Sequence, residues 1–137
     1  EKKIISSLKK RSEKALIILG KTEKKESIFH KNITIKSHLK AEDLNIAIAE
    51  SDLVICRSGY STIMDLVKMQ KNAIFIPTPG QTEQEYLAKI LKEKKICYYQ
   101  KQHNFNLDVA IEKSKKYSGL KQIKHYETNW QELFSLF

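Results

Sequence analysis

Side chains able to do chemistry are sparse in this sequence, and they gather at a few turns. Arg57, Ser58, Gly59, Tyr60, Ser61 and Thr62 follow the apolar run DLVIC directly, and Asp65 stands three residues further on. A second group, Pro79, Gly80, Gln81 and Gln84, follows the apolar run AIFI, and a third, Ser37, His38 and Leu39, follows ITI. In each case an apolar run ends and a helical period begins. Gly59 lets the chain turn and lets a ligand approach the backbone. A helix starting after it offers unpaired N–H groups and a partial positive charge, which suits phosphate. An ordinary strand-to-helix turn uses Gly and Ser as well.

Asp65 and Glu85 each stand three residues after a threonine, Thr62 and Thr82, which is capping-box spacing. A carboxylate early in such a helix can instead accept hydrogen bonds from the paired hydroxyls of a ribose, and for Asp65 both readings are open. Pro77-Thr78-Pro79-Gly80 reads as a rigid turn that fixes the direction of Gln81 and Gln84. Their amides both donate and accept, as recognition of sugar hydroxyls requires.

Other chemistries find no support. His30, His38, His103 and His125 lack metal-ligand spacing, so no metal and no cofactor is expected. Cys56 and Cys97 are far apart and read as free, buried thiols of a reducing compartment. No residue stands out as a general base or nucleophile.

The elements that must position these groups follow from periodicity. Residues 2 to 14 show helical spacing through Ile4, Ile5 and Leu8, and ALIILG (15 to 20) is a compact apolar run. Residues 21 to 31 read as a lysine-rich loop, NITIKSH as a strand, and residues 41 to 51 as a helix. DLVIC, NAIFIP and ICYYQ are strands; STIMDLVKMQ, TEQEYLAKILKEKK, NLDVAIEKSKKYS and NWQELFSLF are helical. Short apolar runs alternating with helices predict βαβ units, hence an α/β, Rossmann-like doubly wound parallel sheet of five to six strands with helices on both faces. The loops at the strands' carboxyl ends then share one edge, where open α/β sheets bind ligands. The chain opens on a helix, so the first strand of that sheet is expected outside it.

At 137 residues and 41% hydrophobic content the chain suffices for one domain with a real core. No stretch has the roughly 20 apolar residues of a membrane span, and EKKIISSLKKR lacks the apolar core of a signal peptide. The net charge of +9 is almost all lysine, since Arg11 and Arg57 are the only arginines. It admits an anionic partner, either nucleic acid or an acidic membrane surface. Base-specific readout favours Arg, Asn or Gln at base edges, and the sequence shows no basic-aromatic cluster.

SDLVICRSGYSTIMDL with NAIFIPTPGQTEQEYLAKIL resembles the carboxyl-terminal domain of family 28 glycosyltransferases, the donor-binding half of GT-B enzymes. The likeness is strong over residues 50 to 92, fair over 15 to 50 and loose beyond 96. It implies that residues 1–137 form a single nucleotide-sugar-binding domain, acting with an amino-terminal acceptor domain that also carries the catalytic base. It implies transfer of a hexosyl or N-acetylhexosaminyl group from a nucleotide-diphosphate sugar, with a UDP-sugar favoured, to an acceptor that can be lipid-linked. The implied setting is cytoplasmic, peripheral on the inner face of the membrane. Arg57, Ser58, Gly59 and Thr62 take the family's donor-site turn. Asp65 stands where the family usually has a ribose-binding Glu, and Gln84 matches a glutamine associated with the donor sugar. Glu85 replaces a second Gln, and Ser37 to Leu39 match the region that holds the base. Two alternatives accompany this reading: a separate donor-binding subunit of a split transferase, and a non-enzymatic nucleotide- or nucleic-acid-binding module.

Overall fold

The computed structural model describes residues 2–20 and 27–120. They form two compact units, Glu1–Glu50 and Ser51–Phe137. The helix expected over NWQELFSLF lies outside the described residues.

The first unit begins with α1 (Lys2–Lys9) and β1 (Ala15–Ile18), continues through β2 (Ser27–His30) and β3 (Ile33–Lys36), and ends with α2 (Ala41–Glu50). Its sheet has the order β1-β3-β2. β1 and β3 are parallel, with Ile17 beside Ile35. β2 is antiparallel to β3, with Ile28 beside Ile35. Part of the segment read as a loop is therefore a strand. The periodicity signal there is weak because SIFH is short and all four residues are exposed. A hairpin nevertheless closes at Lys31, whose φ of 51° supplies the left-handed turn, and at Asn32. The Asn32 amide donates to the carbonyls of Glu13 (2.6 Å) and Leu8 (3.4 Å), tying the turn to the end of α1 and the approach to β1.

The second unit holds β4 (Val54–Cys56), α3 (Tyr60–Lys68), β5 (Ala73–Phe75), α4 (Thr82–Glu93), β6 (Tyr98–Tyr99), a 3₁₀ turn (Gln102–Asn104) and α5 (Leu107–Ser114). Its three strands run parallel in the order β4-β5-β6. β5 is buried throughout, as its unbroken apolar run requires of a central strand. Ile63 and Leu66 of α3, Leu87 and Leu91 of α4 and Leu107 of α5 are fully buried with it. These helices put apolar residues at three- and four-residue spacing, and that stripe is what they bury.

The architecture is α/β and Rossmann-like, but the strands lie in two three-stranded sheets rather than one. β1 and β4 each stand at an end of their own sheet. VIC is accordingly half-buried, although its sequence is as apolar as that of β5.

With few glycines, the chain closes its helices on other residues. Gln70 (φ 56°) ends α3 and Lys95 (φ 57°) ends α4 in the left-handed region. Each is held by paired bonds back to the helix: Gln70 and Lys71 to Val67 and Leu66, Lys95 and Ile96 to Lys92 and Leu91. Gly119 (φ 80°) cannot be replaced in that way. Its N–H donates to Ile96 O at 2.7 Å, and a Cβ there would overlap the side-chain amide of Asn72.

Candidate functional site

Because β4, β5 and β6 are parallel, the turns that follow them share the carboxyl edge of their sheet. Arg57, the first residue after β4, ties all three together. Its Nη1 donates to Ile76 O (3.0 Å) and Pro77 O (3.4 Å) after β5, and its Nη2 to Gln102 Oε1 (2.6 Å) after β6. The guanidinium read from sequence as a ligand group is thus occupied as a strut. Three of its five N–H groups are engaged, and two are left for an anion.

Ser58 is fully buried, and its Oγ donates to Gln84 O at 2.7 Å. Gln84 Oε1 in turn accepts from Thr78 N (2.8 Å). Between them lies a tight turn in which Gln81 N donates to Thr78 O (3.0 Å), with Pro79 second and Gly80 third at φ 84°. This is a type II turn, and it needs a glycine at that third place. The rigid turn expected from the sequence is therefore present, braced from inside by Ser58 and Gln84.

The helix starts differ from the capping boxes read in the sequence. Gly59 is the N-cap of α3 and Gln81 that of α4, and neither helix has a side-chain cap bond. Thr62 and Thr82 stand inside the helices, so neither can cap. Glu85 instead reaches back to accept from Gly80 N at 3.0 Å. Asp65 lies in the second turn of α3, exposed, and its carboxylate has no hydrogen bond or ion pair among the described residues. Gly59 has φ −73°, open to any residue, so its turning freedom is unused. What its missing side chain leaves is space: a Cβ there would meet only Thr62 Oγ1, at 4.0 Å. Tyr60, Ser61 and Thr62 are exposed around this open helix start.

Ser37, His38 and Leu39 belong to the first unit, just after β3. Ser37 is buried, and His38 keeps Nδ1 buried without a hydrogen-bond partner among the described residues. No group of metal-binding side chains forms among the described residues. Cys97 is buried and Cys56 half-buried, and both thiols are pushed up to about 12, chiefly by burial, which keeps them protonated and unreactive at neutral pH.

Gln102 was missed in the sequence, as was Gln100, whose Oε1 accepts from Asn106 N at 2.9 Å and shapes the same loop. The signal that could have found them is the parallel topology itself. If strand ends share an edge, the turn after ICYYQ belongs to the site as much as the other two.

These features define an α/β ligand-binding domain with its polar groups at the carboxyl edge of a parallel sheet and an open helix start among them. The chain belongs to the glycosyltransferase family 28 C-terminal domain family, whose model matches residues 2–129. It is similar to UDP-N-acetylglucosamine--N-acetylmuramyl-(pentapeptide) pyrophosphoryl-undecaprenol N-acetylglucosamine transferases. That of Histophilus somni is 34% identical over 95 residues, covering 65% of this chain and 27% of the relative. That of Rickettsia massiliae is 34% identical over 84 residues, covering 60% and 22%. That of Mannheimia succiniciproducens is 30% identical over 98 residues, covering 68% and 28%. The chain thus spans about a quarter of the length of the relatives it matches.

Proposed function

We propose that residues 1–137 are the donor-binding domain of a glycosyltransferase that moves an N-acetylhexosaminyl or hexosyl group from a UDP-sugar to a lipid-linked acceptor. The observation that carries this reading is the unpartnered, exposed carboxylate of Asp65 on a helix whose start has no side-chain cap. The N–H groups of that start and the two free N–H groups of Arg57 suit the diphosphate, which gathers charge as it leaves. Asp65 accepts from the ribose hydroxyls. Gln84, with its oxygen held by Thr78, offers its NH₂ to a sugar oxygen. In the second unit, Tyr60, Ser61, Pro79, Gly80 and Gln81 flank the donor, and in the first unit the family resemblance assigns Ser37 to Leu39 to the base. The partners are the nucleotide sugar, an amino-terminal domain that supplies acceptor and base together with the first strand of the sheet, and the inner face of an anionic membrane.

Calorimetric titration with UDP and GDP tests the reading. UDP is expected to bind more tightly than GDP, and Asp65→Ala to weaken UDP about tenfold, the scale of a charge-assisted hydrogen-bond pair. Absence of binding by either nucleotide at millimolar concentration, together with unchanged activity of the whole protein carrying Asp65→Ala, would overturn it.

A further inference from the structure

The other end of the second unit gathers charge. The strand-to-helix direction reverses at each crossover, so α4 and α5 end near the edge where β6 begins, away from the Arg57 edge. Lys92 Nζ, from the last turn of α4, lies 5.2 Å from the ring centres of both Tyr98 and Tyr99. Lys113 Nζ, from the last turn of α5, lies 6.0 Å from the Tyr98 ring. Two ammonium groups from different helices thus converge on one aromatic side chain, which also packs against Tyr117 at 5.6 Å. Lys95 and Lys116 are brought to the same place, because Ser118 N donates to Lys95 O (3.0 Å) and Lys116 N to Lys113 O (3.1 Å). Lys94 adjoins them. Lys113 and Lys116 lie about twenty residues from Lys92, Lys94 and Lys95, so the two lysine groups meet only in the fold, a pairing that the sequence reading missed.

All five lysines are exposed, and none has a carboxylate partner among the described residues. The nearby glutamates are already used: Glu93 lies 4.0 Å from Lys89, and Glu112 2.9 Å from Lys115. Favourable interaction of cations with helix carboxyl ends explains one or two lysines on each helix. It does not explain why both sets meet without a counter-charge, which opposes folding by mutual repulsion. Lys95 adds to this, since it holds a left-handed position where glycine would be less strained.

We infer that Lys92, Lys94, Lys95, Lys113 and Lys116 form a docking surface for an anionic lipid bilayer. The choice of a lipid surface rests on the lipid-linked acceptor of the proposed function. The chemistry of the patch favours it over nucleic acid. It contains no arginine for bidentate phosphate or base contacts. Tyr98 is buried, and lysines already stand over its ring, so it offers no face for base stacking. A cluster of exposed ammonium groups on mobile stems suits a broad anionic surface, to which each adds attraction without fixed geometry. Bound in this way, the domain keeps the Arg57 edge open to solvent-borne donor.

The test is sedimentation of the chain with vesicles of phosphatidylcholine alone or with one-third phosphatidylglycerol. Binding is expected only to the acidic vesicles and should weaken with salt. Neutralising Lys92, Lys94, Lys113 and Lys116 to Gln is expected to weaken it at least about tenfold. The matched control, Lys2, Lys3, Lys9 and Lys10 to Gln on α1, loses the same charge and is expected to weaken it less than about threefold. Mass-spectrometric footprinting of lysine acetylation on the unsubstituted chain gives a second readout, with the five lysines protected by acidic vesicles. Equal loss in both variants, absence of protection, absence of vesicle binding, or binding to single-stranded RNA but not vesicles would overturn the inference. UDP titration of the same variants separates the two proposals: UDP binding without vesicle binding refutes the surface alone, and vesicle binding without UDP binding refutes the donor site alone.

Discussion

Arg57 is where the structure and the family pattern assign different work, and a cycle of substitutions decides between them. Arg57→Ala removes two good hydrogen bonds, at 3.0 Å to Ile76 O and 2.6 Å to Gln102 Oε1, and a long one at 3.4 Å to Pro77 O that counts for little. Bonds from a charged donor contribute about 1.5–3 kcal/mol each when buried, but Arg57 is exposed and solvent weakens them. A net loss of about 1–2 kcal/mol follows, or roughly 4–8 °C in melting temperature for a domain of this size. Arg57→Lys keeps the charge but not the planar fork, and is expected to lose most of the same stability. Gln102→Ala is expected to cost about 1 kcal/mol, and the double variant less than the sum by about 0.5–1.5 kcal/mol, since both break the same bond. Urea unfolding of the four proteins, each with and without UDP, supplies the measurement. Unchanged stability in Arg57→Ala with strictly additive effects would refute the strut, and if UDP binding were lost in that same variant, Arg57 would be left with a purely ligand role.

Three further outcomes follow from the same geometry. Gly119→Ala places an L-residue at φ 80° against the Asn72 amide and is expected to cost about 2–4 kcal/mol, of which Asn72→Ala recovers the collision but not the strain of about 1 kcal/mol; a loss below about 1 kcal/mol in the single variant would contradict the packing. Asp65→Ala is expected to leave unfolding within about 0.5 kcal/mol of the parent, because its carboxylate makes no hydrogen bond or ion pair among the described residues, and a larger loss would give it the structural role that capping implied. The thiols of Cys56 and Cys97 are raised from 9.0 to about 12, so the folded state holds their protons longer than the unfolded chain does. Their contribution to stability is whole below pH 9.0 and falls as pH rises from there toward about 12, and at pH 8 both are expected to react with Ellman's reagent only after urea is added.

The second unit was more legible in the sequence than the first, and the reason is packing. AIFI, STIMDLV and TEQEYLAKIL bury their apolar residues against one another, so period and burial agree. SIFH is an exposed edge strand, and no periodic signal marks a strand that buries neither face. The division into two sheets was not read from the sequence, since strand pairing is a long-range property that no local pattern records. Within the site, residue types at the turns were readable, but their partners were not. Thr62 and Thr82 have capping-box spacing, yet the N-caps are Gly59 and Gln81, three residues and one residue earlier, where the backbone is extended. Spacing fixes which residues can pair; where the helix begins decides whether they do.

The turn RSG thereby divides its labour along the chain. Arg57 and Ser58 face inward, one bracing the carbonyls after β5 and the other the backbone of Gln84. Gly59 and the residues after it face outward, with an open helix start and a free carboxylate at Asp65. The inward pair determines more than stability. Gln84 Oε1 accepts from Thr78 N, which orients the amide and leaves its NH₂ without a hydrogen bond among the described residues. A ligand group that accepts can bond to that NH₂, and the second lone pair of the oxygen stays open to a group that donates. Under the proposed function, residues of β4's turn would bear on the choice of donor sugar without touching it. Glu85 accepts from Gly80 N with one oxygen and keeps the other open. If the proposed donor site holds, Ser58→Ala, which removes the bond to Gln84 O and frees the loop, is expected to narrow the affinity difference between UDP-sugars before it abolishes UDP binding, as calorimetric titration would show.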